Sequence, residues 1–197
     1  MSHENPVPRG DPSAPDARET VLASAARLLD ESGQEGLTIR RLAAASGFTP
    51  PAIYSLFGDK AGLVEALVER SFQEIVERMR ALENPGDPRE FARKAFREIV
   101  RFGREHPHQY LLVEDRLPAS SIASPSVEAA RFRLAAPLLE LAGADQIDAD
   151  HLECMRQAFW SLLHGLITLP AMRADVEWRA DAADAAFDAM LAGFTKP

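Results

Sequence analysis

The sequence predicts an all-α protein. Three observations carry that prediction. Apolar residues recur three and four apart along most of the chain, no stretch alternates as a half-buried strand does, and helix start and stop residues sit at the ends of the periodic stretches. The 197 residues suffice for one large domain or two small ones. The clearest linker, "ENPGDP" at 83–88, divides the chain near residue 84.

Residues 1–15, with prolines at 6, 8, 12 and 15 and no apolar run, read as a disordered arm and not as a secretory signal. Next, Val21, Ala25, Leu28 and Leu29 define a helix that Gly33 can stop in a left-handed conformation. Thr38 is the N-cap of a short helix, "IRRLAAAS", with Ile39, Leu42 and Ala43 inward and Gly47 closing it. A second short helix, "PPAIYSLF", starts from Thr49, with Pro50 at the first helical position, where a missing N–H costs nothing. Asp59 caps a long fourth helix carrying Leu63, Leu67, Ile75, Met79 and Leu82 on one side. This completes the N-terminal unit, 16–83.

In 84–197, a helix from Arg89 to Glu105 has Phe91, Ala95, Ile99 and Phe102 on one stripe, and His106-Pro107 breaks it. His106 and His108 read as solvent-facing residues of an exposed turn. A short helix covers 107–114 and "RLPASSIASPS" is a loop. A helix over 126–142 contains Pro137, which kinks it or starts a new segment. A long apolar helix spans Asp148–Ala171, and a last one runs from about Arg179 to Phe194.

Composition narrows the function. The net charge of −8 by itself argues against nucleic acid. The charge is uneven, however. From Thr38 to Lys60, Arg40, Arg41 and Lys60 face only Asp59, whereas the chain beyond Asp145 is strongly acidic. A single cysteine, Cys154, excludes an internal disulfide and fits a reducing cytoplasm. No apolar run is long enough to span a bilayer, so a cytoplasmic protein without a membrane partner is expected.

Enzyme chemistry finds little support. His151 and Cys154 stand three apart with Glu153 between them, but nothing nearby completes a zinc ligand set. Cys154 has His151 as its only candidate base, and the local acids oppose a thiolate. No nucleophile-elbow pattern and no phosphate-cradling glycine loop occur. No catalytic residue, metal or cofactor is expected.

The stretch "GFTPPAIYSLFGDK" carries the functional signal. At about 100° per residue, Ile53, Leu56 and Phe57 fall on one side of its helix, and Pro51, Tyr54 and Ser55 on the other. The double proline makes a stiff, blunt tip. Taken alone, the stretch fits a surface-reading tip and a mere helix start equally. The preceding short helix and the Gly47 turn make the pair a helix-turn-helix. In that motif the second helix enters the major groove of DNA, with phosphate donors at the rims. Thr38, Arg40, Arg41, Lys60 and the hydroxyls of Tyr54 and Ser55 are the rim candidates.

The run "GLTIRRLAAASGFTPPAIYSLFGDKAGLVEALVE" resembles the DNA-binding domain of the TetR family of bacterial transcriptional repressors. The resemblance runs from about Arg18 to Leu67, through the Thr38 cap, Leu42-Ala43, Ser46-Gly47, Ala52, Tyr54, Phe57 and Asp59-Lys60. It implies that Thr38 and Lys60 hold phosphates and that Arg40 reaches a base. Thr49, Pro50 and Pro51 would sit over base edges, with Tyr54 and Ser55 on backbone or thymine methyls. Leu56 departs from the family, which often has histidine or another polar residue there. "FWSLLHGLI" at 159–167 looks like the Trp-x-x-x-His-Gly signature of one TetR subgroup.

The family plan implies an N-terminal head joined by a long helix to a regulatory domain. That domain would hold a small hydrophobic or amphipathic effector and form a homodimer through the last two long helices. The apolar helix 148–171 and the small-residue stripe Ala183, Ala186, Phe187, Met190 and Leu191 fit a dimer, and they also fit a monomeric core. Phe96, Phe102, Tyr110, Leu111, Phe132, Trp160 and His164 are the candidate lining of an effector pocket; aromatic residues on amphipathic helices are also ordinary core. The expected function is a ligand-released repressor on a palindromic double-stranded operator. The alternative is a helical interaction or ligand-binding protein without DNA binding.

Overall fold

The computed structural model describes residues 11, 13, 16–83, 86–116, 151–173 and 175–194, and all regular structure among them is helical. The helices are α1 (Ala17–Gly36), α2 (Ile39–Ser46), α3 (Pro50–Phe57), α4 (Lys60–Arg80), α5 (Pro88–Glu105), α6 (Pro107–Arg116), α7 (Leu152–Met172) and α8 (Ala182–Ala192). The helix expected over 126–142, its preceding loop, Phe132 and most of the N-terminal arm lie outside the described residues.

Two cores organise the chain. The first joins α1, α2, α3 and α4 as far as Val76, and takes Leu112 and Val113 from α6. The second joins Ile75 and Met79 of α4 to α5, α7 and α8. Its centre is aromatic: Phe96 stands edge-on to Phe159 at 5.2 Å between centroids and tilted to Phe187 at 5.3 Å. The 21-residue α4 therefore belongs to both cores, with its lower turns in one and its upper turns in the other.

Gly33 kinks α1 and does not stop it. Its φ of 64° breaks the helix, as a glycine can at no Cβ penalty, but the chain resumes one more turn to Gly36. Leu37, 2% exposed, then anchors the exit. In α5 the buried stripe is wider than the spacing suggested. Phe96 and Val100 join Ala95, Ile99 and Phe102, whereas Phe91 is only half-buried. The cause is that α5 packs against α4, α7 and α8 together. In α7, Met155, Phe159, Leu163, Leu166 and Ile167 are buried, while Trp160, His164, Leu169 and Met172 on other faces are exposed.

Polar groups fasten the second core. Pro170 in the last turn of α7 lacks the N–H that would reach the Leu166 carbonyl, and Arg104 Nε of α5 donates to that oxygen instead, at 3.0 Å. Arg97 forks onto Asp184 of α8 at 2.9 and 2.8 Å. Arg78 of α4 donates to Glu105 at 2.6 Å and to Glu74 at 2.8 Å, with its guanidinium over the Phe102 ring. The Arg78 hydrogen bond holds the Glu105 carboxyl below the usual carboxylate range.

Candidate nucleic-acid interface

The reading tip is built from caps. Thr38 is extended, and its Oγ1 accepts from the Arg41 N–H at 3.3 Å, starting α2. Gly47 closes α2 with φ 76°, a left-handed conformation that suits glycine, and its N–H returns to the Ala43 carbonyl. Phe48, buried, pins the turn to the core. Thr49 then accepts from the Ala52 N–H at 3.4 Å, and Pro50 and Pro51 fill the unpaired first turn of α3. At the far end the Gly58 N–H donates to the Tyr54 carbonyl at 2.8 Å. Asp59 caps α4 through Gly62 N–H at 2.8 Å.

The two sides of α3 separate as the periodicity required. Ala52 and Ile53 are buried, and Leu56 and Phe57 are half-buried against the first core. Arg18 of α1 lies over the Phe57 ring, 5.2 Å from its centroid. Pro50, Pro51, Tyr54 and Ser55 are exposed, Tyr54 at 47%, and Thr49 is half-buried. Thr38, Arg40 and Lys60 are exposed at the flanking helix starts. The only acid in this segment, Asp59, is engaged as a cap.

Arg41, a rim candidate by sequence, is hydrogen-bonded within its own protein. Its Nη1 donates to Ser32 Oγ and to the Gly36 carbonyl, both at 3.0 Å, so that the guanidinium folds back onto the end of α1.

The effector-pocket residues scatter. Phe96 and Phe102 are fully buried core side chains. Tyr110 is also buried, with its hydroxyl 3.5 Å from His164 Nδ1, and burial pushes its phenol well above the usual range. Leu111 is exposed, because α6 turns Tyr110, Leu112 and Val113 toward the two cores and leaves Leu111 on its outer side. Trp160 and His164 are exposed on α7.

A polar junction between the two cores escaped the sequence reading. Asp30 of α1 meets the start of α6. Asp30 Oδ2 lies 2.8 Å from His106 Nδ1 and accepts from Gln109 Nε2 at 2.7 Å. The Asp30 carbonyl lies 3.0 Å from His108 Nδ1. Ser71 of α4 donates to Gln109 Oε1 at 3.0 Å. His106 and His108 are thus half-buried and bonded, not solvent-facing turn residues. Beside this junction a cleft of about 450 Å³ is lined by Arg27, Asp30, Arg70, Glu74, His106 and Gln109 among others. A second, of about 300 Å³, lies under Lys60, with Leu37, Val64 and Leu112.

Among the described residues, no group of three or more His, Cys, Asp or Glu side chains is placed to hold a metal. No described helix is long and apolar enough to cross a membrane.

Comparison with known proteins agrees with this geometry. Residues 21–67, which run from α1 into α4, match the family model of bacterial regulatory proteins of the tetR family. Residues 92–194 match that of the tetracyclin repressor-like C-terminal domain. The class C tetracycline repressor of Escherichia coli is 48% identical over 52 residues, 26% of this chain and 24% of that protein. That match therefore spans about a quarter of the relative's length. A protein of unknown function from Rhodococcus sp. RHA1 shares the fold with a TM-score of 0.75 at 23% identity, over 98% of this chain and 100% of that one. A TetR variant of Acinetobacter baumannii AYE, solved in complex with minocycline, aligns with a TM-score of 0.61 at 25% identity, over 89% of this chain and 94% of that one.

Fold and tip together define a helical regulator with a helix-turn-helix head. The chain belongs to the TetR family.

Proposed function

We propose that this chain is a cytoplasmic DNA-binding transcriptional regulator, a repressor released from a palindromic operator by a small hydrophobic or amphipathic molecule. The observation that carries the reading is the outward row of α3, Pro50, Pro51, Tyr54 and Ser55, set between the capped starts of α2 and α4. Thr38 and Lys60 hold phosphates beside the positive ends of their helices. Arg40, Thr49, Pro50 and Pro51 lie over base edges, and Tyr54 and Ser55 meet the sugar-phosphate backbone or thymine methyls.

A homodimer formed by α7 and α8 presents two heads to half-sites about one helical turn apart. The exposed Leu169 and Met172 of α7 and the alanine-rich α8 support that interface. The effector site belongs to the second core, with Tyr110, Trp160 and His164 as its polar or amphipathic members. The minocycline complex of the Acinetobacter baumannii relative supports an effector of that class. Because α4 is shared by both cores, an effector that fits better when the heads are misplaced weakens operator binding.

The net charge of −8 favours a second reading, a helical interaction protein that leaves DNA alone. Selection of duplexes from a random library separates the two. A regulator enriches an inverted repeat and loses affinity steeply with added salt; an interaction protein enriches nothing.

A further inference from the structure

Arg41 is exposed on α2, one turn from the Thr38 cap, yet its side chain points back into its own protein. Both hydrogens of Nη1 have acceptors: Ser32 Oγ and the Gly36 carbonyl, each at 3.0 Å. Ser32 Oγ in turn donates to the Leu28 carbonyl at 2.8 Å. Leu28 lies before the Gly33 kink and Gly36 after it, so a single guanidinium spans the break in α1. The cation also sits at the carbonyl end of α1, where the helix dipole favours it. The fit is close. A Cβ on Gly36 would press into Ser32 and stand 2.7 Å from Arg41 Nη1.

From this geometry we infer that Arg41 is a positioning residue for the reading head, acting through α2 and not through a phosphate. The inference rests on the proposed DNA-binding function. α2 is capped by Thr38, carries Arg40 and leads through Gly47 into α3. Fastening its first turn to the kinked end of α1 fixes the angle at which those groups and the α3 tip meet a duplex. Once the fastening is lost, the head spends only part of its time in the competent orientation, and apparent affinity falls by that fraction.

The test uses the full chain and a duplex it selects from a random library. Arg41→Ala weakens binding about tenfold, with the slope of log K against log salt unchanged, because no phosphate contact is removed. A phosphate-binding Arg41 gives the opposite signature, a slope lower by about one. Ser32→Ala, which removes one of the two α1 acceptors and leaves the Gly36 carbonyl, weakens binding in the same direction but less, and the double variant is no worse than Arg41→Ala. Arg41→Lys keeps the charge and places three N–H donors on one nitrogen, as Nη1 places two on these acceptors, but on a shorter, more flexible side chain, so it restores affinity in part and leaves the salt slope unchanged. Hydrogen exchange of the DNA-free chain provides a readout independent of DNA: amides of residues 37–42 exchange faster in Arg41→Ala. Wild-type binding by Ser32→Ala, or a slope reduced by about one in Arg41→Ala, overturns the positioning role. Selection of no duplex by the wild-type chain overturns the functional reading on which it rests. Unchanged exchange at 37–42 removes the positioning role alone.

Discussion

Gln109→Leu is the substitution whose cost the structure specifies most closely. The Gln109 side chain is buried, and its amide uses both ends, Nε2 on Asp30 Oδ2 at 2.7 Å and Oε1 on Ser71 Oγ at 3.0 Å. One bond goes to a carboxylate and is worth about 1.5–3 kcal/mol; the other is neutral and worth about 0.5–1.5 kcal/mol. Asp30 keeps His106 at 2.8 Å, but its Oδ1 is already buried without a partner, so it has little left to fall back on. Ser71 recovers part of its loss by bonding back along α4. Leucine returns about 1 kcal/mol through apolar burial. The net expectation is destabilisation by about 2 kcal/mol, which for a chain of this length lowers Tm by roughly 4–8 °C. Thermal and urea melts of the two proteins measure it. An unchanged or raised Tm would mean that the Asp30–Gln109–Ser71 junction contributes nothing to joining the two cores, and the account of α6 as their fastening would fail.

Four further expectations follow from single contacts. Tyr54→Ala leaves Tm within about 1 °C of wild type but weakens DNA binding, whereas Phe57→Ala, half-buried under Arg18, costs about 1–2 kcal/mol; melts in the reverse order would show that the two sides of α3 are misassigned. Gly103→Ala brings a Cβ to 2.8 Å from Cγ1 and Cγ2 of the buried Ile167, so destabilisation of about 1–3 kcal/mol by overpacking is expected, and a neutral melt would contradict the close approach of α5 to α7. Lys60→Ala lowers the salt slope of DNA binding by about one phosphate's share, and an unchanged slope would remove Lys60 from the interface. The raised phenol of Tyr110 binds its proton in the folded chain at a pH where the unfolded chain has released it. That contribution to stability is complete below about pH 10, the unfolded value, and declines as pH rises beyond it. In Tyr54→Phe, where Tyr110 is the only remaining tyrosine, tyrosinate absorbance should appear only with unfolding; its appearance near pH 10 in the folded chain would show the phenol to be solvated.

The head was legible because its determinants are local. Thr38, Gly47, Thr49, the two prolines and Asp59 act on neighbours within a turn, so their cap roles follow from the chain alone. The side chain of Arg41 was not legible, because its acceptors, Ser32 and Gly36, lie on either side of Gly33, which the sequence marks as a helix end and the fold uses as a kink. The Asp30 junction joins residues tens of positions apart, and a polar side chain looks solvent-bound until its partner is placed. Ser71 held the available signal: it falls on the core stripe of α4 between Leu67 and Ile75, where a hydroxyl needs a buried acceptor. Leu111 and Phe96 were grouped as one pocket by residue type, yet one is exposed and the other fully enclosed, which only the packing of α5 and α6 decides.

Binding of the 197-residue chain to its selected duplex, followed across a salt series with the stoichiometry determined, decides whether this chain reads DNA as a pair. Two chains are expected on an inverted repeat whose half-sites lie about one helical turn apart, with affinity falling steeply as salt rises and lost more sharply in Tyr54→Ala than stability is. A single chain bound, or equal affinity for scrambled and selected duplexes at low salt, would contradict it.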